Sequence, residues 1–255
     1  MSLPERVLWE VAGRPYVFAL LVPAAWAGVR WLGARRFAAS AAFAYLVAWG
    51  AEACSIRWNA PFGYYRYTAA TAGREVWLAG VPTWDTVSFV SLATVSAAIA
   101  ASALDRPLPG AGGRWLRFVL LAAVVMTLAD VAVDPVTLQG SRWFLGQVYY
   151  YRSATYLGVP WQNFAGWGVV AATIVGGWSA AGGLARATLP PPSPRVVLVA
   201  VCCFIGVAFF MTAVAVALRE WSMTANAAAI GALVPAGLAV GRARRQPAPA
   251  VVRGA

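Results

Sequence analysis

Four carboxylates lie in or at the ends of strongly apolar stretches of this sequence: Glu52, Asp85, Asp130 and Asp134. Acidic side chains are costly inside a lipid bilayer, so an ionisable group placed there is a functional-site candidate. A buried carboxyl group that keeps its proton can act as an acid. The alternative role is ordinary ion pairing with arginines of the adjoining segments, Arg57, Arg66, Arg142 and Arg152.

An internal repeat relates these acids to one another. A Gly-Val-Pro tripeptide at residues 80–82 recurs at residues 158–160, which is 78 residues further along the chain. The same shift, without a gap, aligns Glu52 with Asp130, Asp85 with Asn163 and Phe89 with Trp167. The acid, the proline and the Asp85/Asn163 pair fall in one register, which argues against a coincidence of apolar sequence and predicts a structural repeat.

Each repeat unit, about residues 45–100 and 123–178, combines a helix that ends in an acid, an aromatic loop, and a Gly-Val-Pro that opens another helix. Proline in the first turn fixes φ and costs no hydrogen bond. Asp85 and Asn163 then fall in a first turn, where free N–H groups favour a carboxylate or amide. A bond to the helix N-terminus is therefore the structural alternative to a role in chemistry.

The loops beside the acids are rich in tyrosine and tryptophan, including residues 64–67 and 149–152. Such residues form interfacial belts in many membrane proteins. Their concentration next to the acids also suits carbocation chemistry, in which an acid protonates an alkene and aromatic faces stabilise the cation.

The elements that position these residues must be membrane helices. The chain is 61% hydrophobic and 11% charged, with a mean hydropathy of +0.66, whereas soluble domains average about 25% charged residues. Apolar runs of helical length recur throughout, and they do not alternate as barrel strands do. The fold class is therefore all-α: a polytopic membrane helix bundle with about seven transmembrane helices and a parallel internal repeat.

The seven spans are predicted at residues 16–32, 37–53, 81–104, 115–133, 159–181, 196–218 and 224–241. Residues 1–241 should form a single transmembrane domain, followed by a basic, disordered tail at 242–255. An even number of spans separates the two units, so they share an orientation, and sites in such proteins often lie between the repeats.

The net charge of +11 comes entirely from arginine, because lysine is absent. The arginines lie mainly between apolar runs, where they act as topology signals and headgroup contacts. More arginines lie on the side of the C-terminal tail than on the side of the N-terminus. The positive-inside rule therefore predicts the N-terminus outside and the C-terminus inside a prokaryotic cytoplasmic membrane. Since no soluble basic face is predicted, a nucleic-acid partner is not expected.

Metal and cofactor sites have little support in the residue types. The chain has no histidine, which excludes haem ligation by histidine and argues against most transition-metal sites. Its three cysteines, Cys54, Cys202 and Cys203, have no metal or disulfide spacing. We expect neither a metal nor a cofactor.

Two blocks resemble the membrane carotenoid hydratases of bacteria and haloarchaea, the CruF type, which include bisanhydrobacterioruberin hydratase-like proteins. The first block is Glu52 with residues 59–68 (NAPFGYYRYT) and the Gly-Val-Pro at 80–82. The second is residues 134–136 (DPV) with residues 156–167 (YLGVPWQNFAGW). The resemblance covers about residues 45–170, and the outer helices match only in being apolar.

The resemblance implies a hydro-lyase that adds water across the terminal C1=C2 double bond of an acyclic carotenoid end group, such as that of lycopene, γ-carotene or a bacterioruberin precursor. The product is a tertiary alcohol, and no redox cofactor is needed. The implied partners are a lipophilic carotenoid, the lipid bilayer and other enzymes of carotenoid biosynthesis.

The resemblance and the residue types together suggest roles for the candidate site. The acid and base would be drawn from Glu52, Asp85 and Asp130. Asn163 and Tyr65 would position water, and Arg66 would set the charge state of the acids. Trp84 and Trp161 would line the hydrocarbon channel, and Asp134 would assist in positioning.

Other functions remain open. A retinal-binding opsin fails because no lysine can form the Schiff base. A UbiA-like prenyltransferase could bind Mg²⁺ and a diphosphate through Asp130 and Asp134. Such enzymes usually carry two acidic motifs, but the first repeat unit has Ile56 at the position of the second acid. A carotenoid cyclase would use the same protonation, with an internal alkene in place of water. A transporter would spread its acids through the membrane depth.

Overall fold

The computed structural model describes residues 1–104, 107–109, 111–181 and 188–243. This part of the chain contains eight α-helices: α1 (Leu3–Gly13), α2 (Pro15–Leu32), α3 (Ala34–Trp58), α4 (Thr83–Leu104), α5 (Gly113–Thr137), α6 (Trp161–Ala181), α7 (Pro194–Ala217) and α8 (Trp221–Ala243). The protein is an all-α, polytopic membrane protein, as the apolar runs predict.

Helices α2 to α8 correspond to the seven predicted spans. Among the described residues, α2, α3, α4, α5, α7 and α8 are long and apolar enough to cross a membrane. Helix α6 has 21 residues and carries the polar Gln162 and Asn163 in its first turn. Helix α1 is an additional element that the sequence analysis did not predict.

The fourth span is longer than predicted, because α5 continues through Pro135 to Thr137. A proline inside a helix lacks the N–H that would bond the carbonyl four residues earlier. Here that carbonyl, of Val131, accepts a hydrogen bond of 2.7 Å from Asn226 Nδ2 on α8. The side chain replaces the missing backbone donor, and the helix continues past the proline.

The described chain also contains a short 3-10 helix (Gly140–Arg142) and six short strands: β1 (Tyr65–Tyr67), β2 (Trp77–Leu78), β3 (Val81–Pro82), β4 (Leu108–Pro109), β5 (Tyr149–Tyr151) and β6 (Thr188–Leu189). They form three antiparallel pairs, β1 with β5, β2 with β3, and β4 with β6. The pair of β1 and β5 joins the two aromatic loops, with Tyr65 opposite Tyr151 and Tyr67 opposite Tyr149.

The repeat is visible in the turns before α4 and α6. Leu78 pairs with Val81 in the first unit, and Tyr156 pairs with Val159 in the second, which is the same 78-residue shift. Ala79 and Gly80 have φ of 52° and 86°, and Leu157 and Gly158 have φ of 47° and 91°. Both helices begin directly after the proline of the tripeptide, two residues after the predicted starts of these spans at residues 81 and 159.

Helix α4 lies at the centre of the bundle, where it packs against α2, α3, α5 and α7. The N-terminus and both aromatic loops lie at one end of the bundle, since Arg14 after α1 forms a 2.8 Å ion pair with Glu75. The pair of β4 and β6 follows the opposite end of α4. Arg106, Arg186 and residues 244–255, most of the predicted tail, lie outside the described residues.

Candidate active site

The four acids and Asn163, the polar residues singled out in the sequence, come together at one end of the bundle. Glu52 lies near the end of α3, Asp130 and Asp134 near the end of α5, and Asp85 and Asn163 in the first turns of α4 and α6. All except the half-buried Asp85 are buried.

In the second repeat unit, Asn163 binds two acids at once. Its Nδ2 donates to Asp130 Oδ2 at 2.8 Å and to Asp134 Oδ2 at 2.9 Å. Asp134 also accepts hydrogen bonds from Tyr149 (2.5 Å) and Tyr151 (2.7 Å). Three donors therefore converge on Asp134, whereas Asp130 accepts from Asn163 alone among these side chains. The Asn163 side chain holds acids and does not bond to its own helix N-terminus.

In the first repeat unit, a tyrosine takes the bridging position. The Tyr67 hydroxyl contacts Glu52 Oε2 at 3.2 Å and also contacts Asp85 Oδ2. The two units thus hold their acid pairs through different donors, an amide in one and a phenol in the other.

Strands β1 and β5 bring these tyrosines to the acids. Side chains alternate between the faces of a strand, so Tyr65 and Tyr67 share one face with Tyr149 and Tyr151, and their rings pack edge to face or tilted. Arg66 lies on the other face. Burial, followed by the nearby carboxylates, raises the pKa of Tyr67 and Tyr149 well above 10, so both remain hydrogen-bond donors.

Arg66 does not contact the acids. Its guanidinium donates to the Tyr65 carbonyl oxygen at 2.8 Å and lies 4.3 Å from the centre of the Tyr64 ring. Strand alternation explains this position, because a residue between Tyr65 and Tyr67 must point away from them. The role predicted for Arg66 in setting the charge of the acids has no direct contact to support it.

The other arginines considered as ion-pair partners are also engaged elsewhere. Within the described chain, ion pairs join Arg14 to Glu75 and Arg142 to Glu220, and neither includes an acid of the cluster. Arg57 donates to backbone carbonyls of Ala53 and Ala79. Four carboxylates in a buried cluster cannot all carry charge without a cation at acceptable cost. The cluster therefore has to hold protons.

A small polar pocket of about 40 Å³ lies within the cluster. Its walls are Glu52, Phe62, Tyr65, Tyr67, Asp85, Tyr149, Tyr151, Asn163 and Trp167. The buried Tyr65 hydroxyl has no protein partner in this pocket. A polar site of this size, with several donors and acceptors, suits ordered water.

A much larger apolar cavity of about 680 Å³ adjoins the small pocket. Asp85, Tyr149 and Trp167 line both spaces, and Asp130 lines the large cavity only. Along α7 the lining runs from Leu198 to Met211, which is about 20 Å at the helical rise. The cavity is thus long and mostly hydrocarbon-lined, with carboxylates at one end.

The two tryptophans predicted to line a hydrocarbon channel differ in position. Trp84 lines the large cavity, and its Nε1 donates to Glu75 Oε2 at 3.0 Å. Trp161 is 61% exposed, lies outside both cavity walls, and packs against Tyr156 and Phe164. As the first residue of α6, Trp161 takes the position of an interfacial anchor.

Sequence reasoning missed Tyr67, Tyr149 and Tyr151 as the side chains that hold the acids. The signal was present, since Tyr-x-Tyr spacing in both loops places two phenols on one face of a strand. It also missed a contact across the repeat: the rings of Phe89 and Trp167, which the 78-residue shift aligns, stack with centroids 4.2 Å apart.

These features define a class of protein: a polytopic helical membrane protein with a buried carboxylate cluster at the end of a long apolar cavity. The sequence matches the family model described as carotenoid biosynthesis protein over residues 14–235. The chain therefore belongs to the carotenoid biosynthesis protein family. No curated protein matches the sequence, and no solved structure does.

Proposed function

We propose that this protein is a cofactor-independent carotenoid hydratase that adds water to the terminal C1=C2 bond of an acyclic carotenoid. One observation carries the proposal: a water-sized polar pocket lies beside a long apolar cavity, Asp85 lines both, Asp130 lines the cavity and Glu52 lines the pocket. The cavity suits a rod-like hydrocarbon, and the pocket suits the second substrate, water. Family membership supports a carotenoid as the hydrocarbon.

Asp130 is the proton donor in this mechanism. It lines the hydrocarbon cavity and accepts one hydrogen bond, from Asn163. Asp134, one turn further along α5, receives three donors, an arrangement that stabilises a negative charge. The carboxyl proton of Asp130 forms the new C–H bond at C2 with the π electrons of the alkene, which leaves a tertiary cation at C1.

Water from the small pocket then captures the cation. A lone pair of the water oxygen forms the C–O bond at C1, and the released proton passes to Glu52 or Asp85. Tyr67 contacts both carboxylates, and a phenol can donate to one while it accepts from the other. The cycle closes when a proton returns to Asp130, so water and alkene give the alcohol with no other reactant.

The aromatic walls support the charged intermediate. Trp167 lines both cavities at the junction and stacks on Phe89, which fixes its ring. An indole face attracts a cation within about 6 Å. The Trp167 ring would therefore stabilise the cation while the carboxylates exchange protons.

The geometry disfavours a prenyltransferase. Mg²⁺ on a diphosphate would need free carboxylate oxygens, but both oxygens of Asp134 already accept hydrogen bonds from Tyr149, Tyr151 and Asn163. A cyclase shares the protonation step, and the water pocket is the feature that favours hydration over it.

The direct test uses purified protein in lipid vesicles loaded with lycopene, in water enriched in ¹⁸O. A hydratase yields a product heavier than lycopene by one or two waters, with the label in each new hydroxyl group. A cyclase yields an unlabelled isomer of lycopene, and that result would overturn the proposal.

A further inference from the structure

The large cavity is open along one side of the bundle, between α2 and α7. Three of its α7 residues, Leu198, Cys202 and Gly206, are exposed although they line the cavity, and they lie one turn apart on one helix face. On α2 the exposed Ala19 also lines the cavity. Residues that are both lining and exposed mark an opening in the cavity wall.

Small side chains keep this opening wide. A Cβ atom at Gly206 would meet no atom within 4 Å, so the space in front of this residue is empty. Ala19 and Cys202 add little bulk on the two edges. Pro23, one helical turn after Ala19 on α2, also lines the cavity. The gap therefore extends over about two turns of α7 and about one turn of α2.

The surface around the opening is apolar. Phe209 on α7 is 72% exposed, and Val22 on α2 is 70% exposed. Both helices meet the length and hydropathy expected of membrane spans. The opening therefore faces the acyl chains of the bilayer, where water is scarce and a hydrocarbon is soluble.

We propose that the α2–α7 opening is the lateral portal through which a long, acyclic polyene passes from the bilayer into the site. Asp85 and Asp130 line the end of the cavity next to the small pocket. If one end group of the polyene enters the portal first, that end group reaches these acids. The remainder of the molecule lies along α7 and in the lipid. This inference rests on the proposed function for the identity of the hydrocarbon.

Native cysteines provide a test that needs no substitution. Cys202 edges the portal, whereas Cys54 lies on α3 and outside the cavity wall. The wild-type protein in phosphatidylethanolamine/phosphatidylglycerol vesicles is labelled with N-pyrenylmaleimide, with and without lycopene, and labelling is measured per residue by mass spectrometry. We expect lycopene to slow labelling of Cys202 at least threefold and to leave Cys54 unchanged.

A pair of glycine variants blocks the portal or a matched position. Gly206→Phe fills the opening, and Gly237→Phe places the same ring on α8, where a Cβ likewise meets no atom within 4 Å. We expect Gly206→Phe to abolish the protection of Cys202 by lycopene and to reduce hydration at least tenfold. Gly237→Phe should retain both.

The possible outcomes distinguish a failure of the portal proposal from a failure of the hydratase proposal. Unchanged Cys202 labelling with lycopene, or wild-type turnover in Gly206→Phe, would overturn the portal. Protection of Cys202 without a hydrated product would support the portal and contradict the proposed reaction.

Discussion

Two aspartates on one face of α5 have different surroundings. Asp130 and Asp134 are one turn apart on α5, yet three donors converge on Asp134 and one on Asp130. Asp130, and not Asp134, lines the hydrocarbon cavity. Environments that push the protonation of two carboxyl groups apart are typical of acid–base sites.

Replacing the proposed proton donor should abolish most activity. Asp130→Asn keeps the shape and the contact to Asn163 but cannot deliver a proton, so lycopene hydration should fall by about 10²–10⁴-fold. Glu220→Gln is the control, because Glu220 pairs with Arg142 outside the cluster. It should change the rate less than about twofold, as expected of a surface ion pair. Full activity of Asp130→Asn would exclude this residue as the acid.

The bridging hydroxyl of Tyr67 can be removed with little change in shape. Tyr67→Phe deletes the contacts to Glu52 and Asp85, and loss of a hydrogen bond to a charged group costs about 1.5–3 kcal/mol. We expect the hydration rate to fall about tenfold to a hundredfold. Tyr150→Phe is the matched control, since Tyr150 lies in the paired strand and is 48% exposed. Equal rates in the two variants would contradict the bridging role.

At the scale of elements, the pair of β1 and β5 closes the site by holding three phenols against acids. Burial, and then the neighbouring carboxylates, raises the pKa of Tyr67, Tyr149 and Tyr151 well above the ordinary value. Because the folded pKa exceeds the unfolded pKa, the stability linked to these groups is fully present below the unfolded value, about 10. It is lost as the pH rises through the folded values.

Unfolding in detergent should show this dependence. The contribution of these tyrosines to the free energy of unfolding should be constant below about pH 10 and decline above it. In Tyr67→Phe the decline should be shallower, since one of the titrating groups is gone. The same slope in the variant and the wild type would show that Tyr67 ionisation is not linked to folding.

Helix α6 depends on a close approach to the first aromatic loop. A Cβ at Gly166 would lie 2.7 Å from the Pro61 carbonyl oxygen, which is backbone and cannot move cheaply. Gly166→Ala should therefore destabilise the protein by about 1–3 kcal/mol and displace Phe62 from the pocket wall. Gly168→Ala meets only Thr127 at 3.7 Å and should have little effect. Thermal unfolding of both variants measures the difference, and equal midpoints would contradict the packing.

For the whole molecule, hydrophobic runs were sufficient to predict helices α2 to α8 but not α1, and the repeat was sufficient to group Glu52, Asp85, Asp130 and Asn163. The 78-residue shift made Glu52 equivalent to Asp130 and Asp85 equivalent to Asn163, and the structure brings all four together. Such agreement arises because a repeated sequence repeats its local backbone, down to the left-handed Ala79 and Leu157.

Side-chain direction and contacts between distant segments could not be predicted in the same way. Arg66 was expected near the acids, but strand pairing with β5 turns it outward. Helix α5 passes Pro135 only because Asn226, 95 residues after Val131, supplies the missing donor. Each depends on a partner far away in the sequence, which neither periodicity nor spacing reveals.

Orientation in the membrane remains a prediction of the arginine distribution, with the N-terminus and the site outside and the C-terminus in the cytoplasm. A fluorescent-protein fusion at the C-terminus should be fluorescent, and an alkaline phosphatase fusion at the same position should be inactive. The reverse pair of results would place the site on the cytoplasmic side.

The central claim is that this membrane protein hydrates an acyclic carotenoid by protonation from Asp130 and capture of water from the adjoining pocket. The most direct measurement is the mass of pigments from a lycopene-producing host that expresses the wild type or Asp130→Asn. The account predicts lycopene plus one or two waters with the wild type and unchanged lycopene with Asp130→Asn. Isomers of lycopene with the wild type, or hydrated product with both proteins, would contradict it.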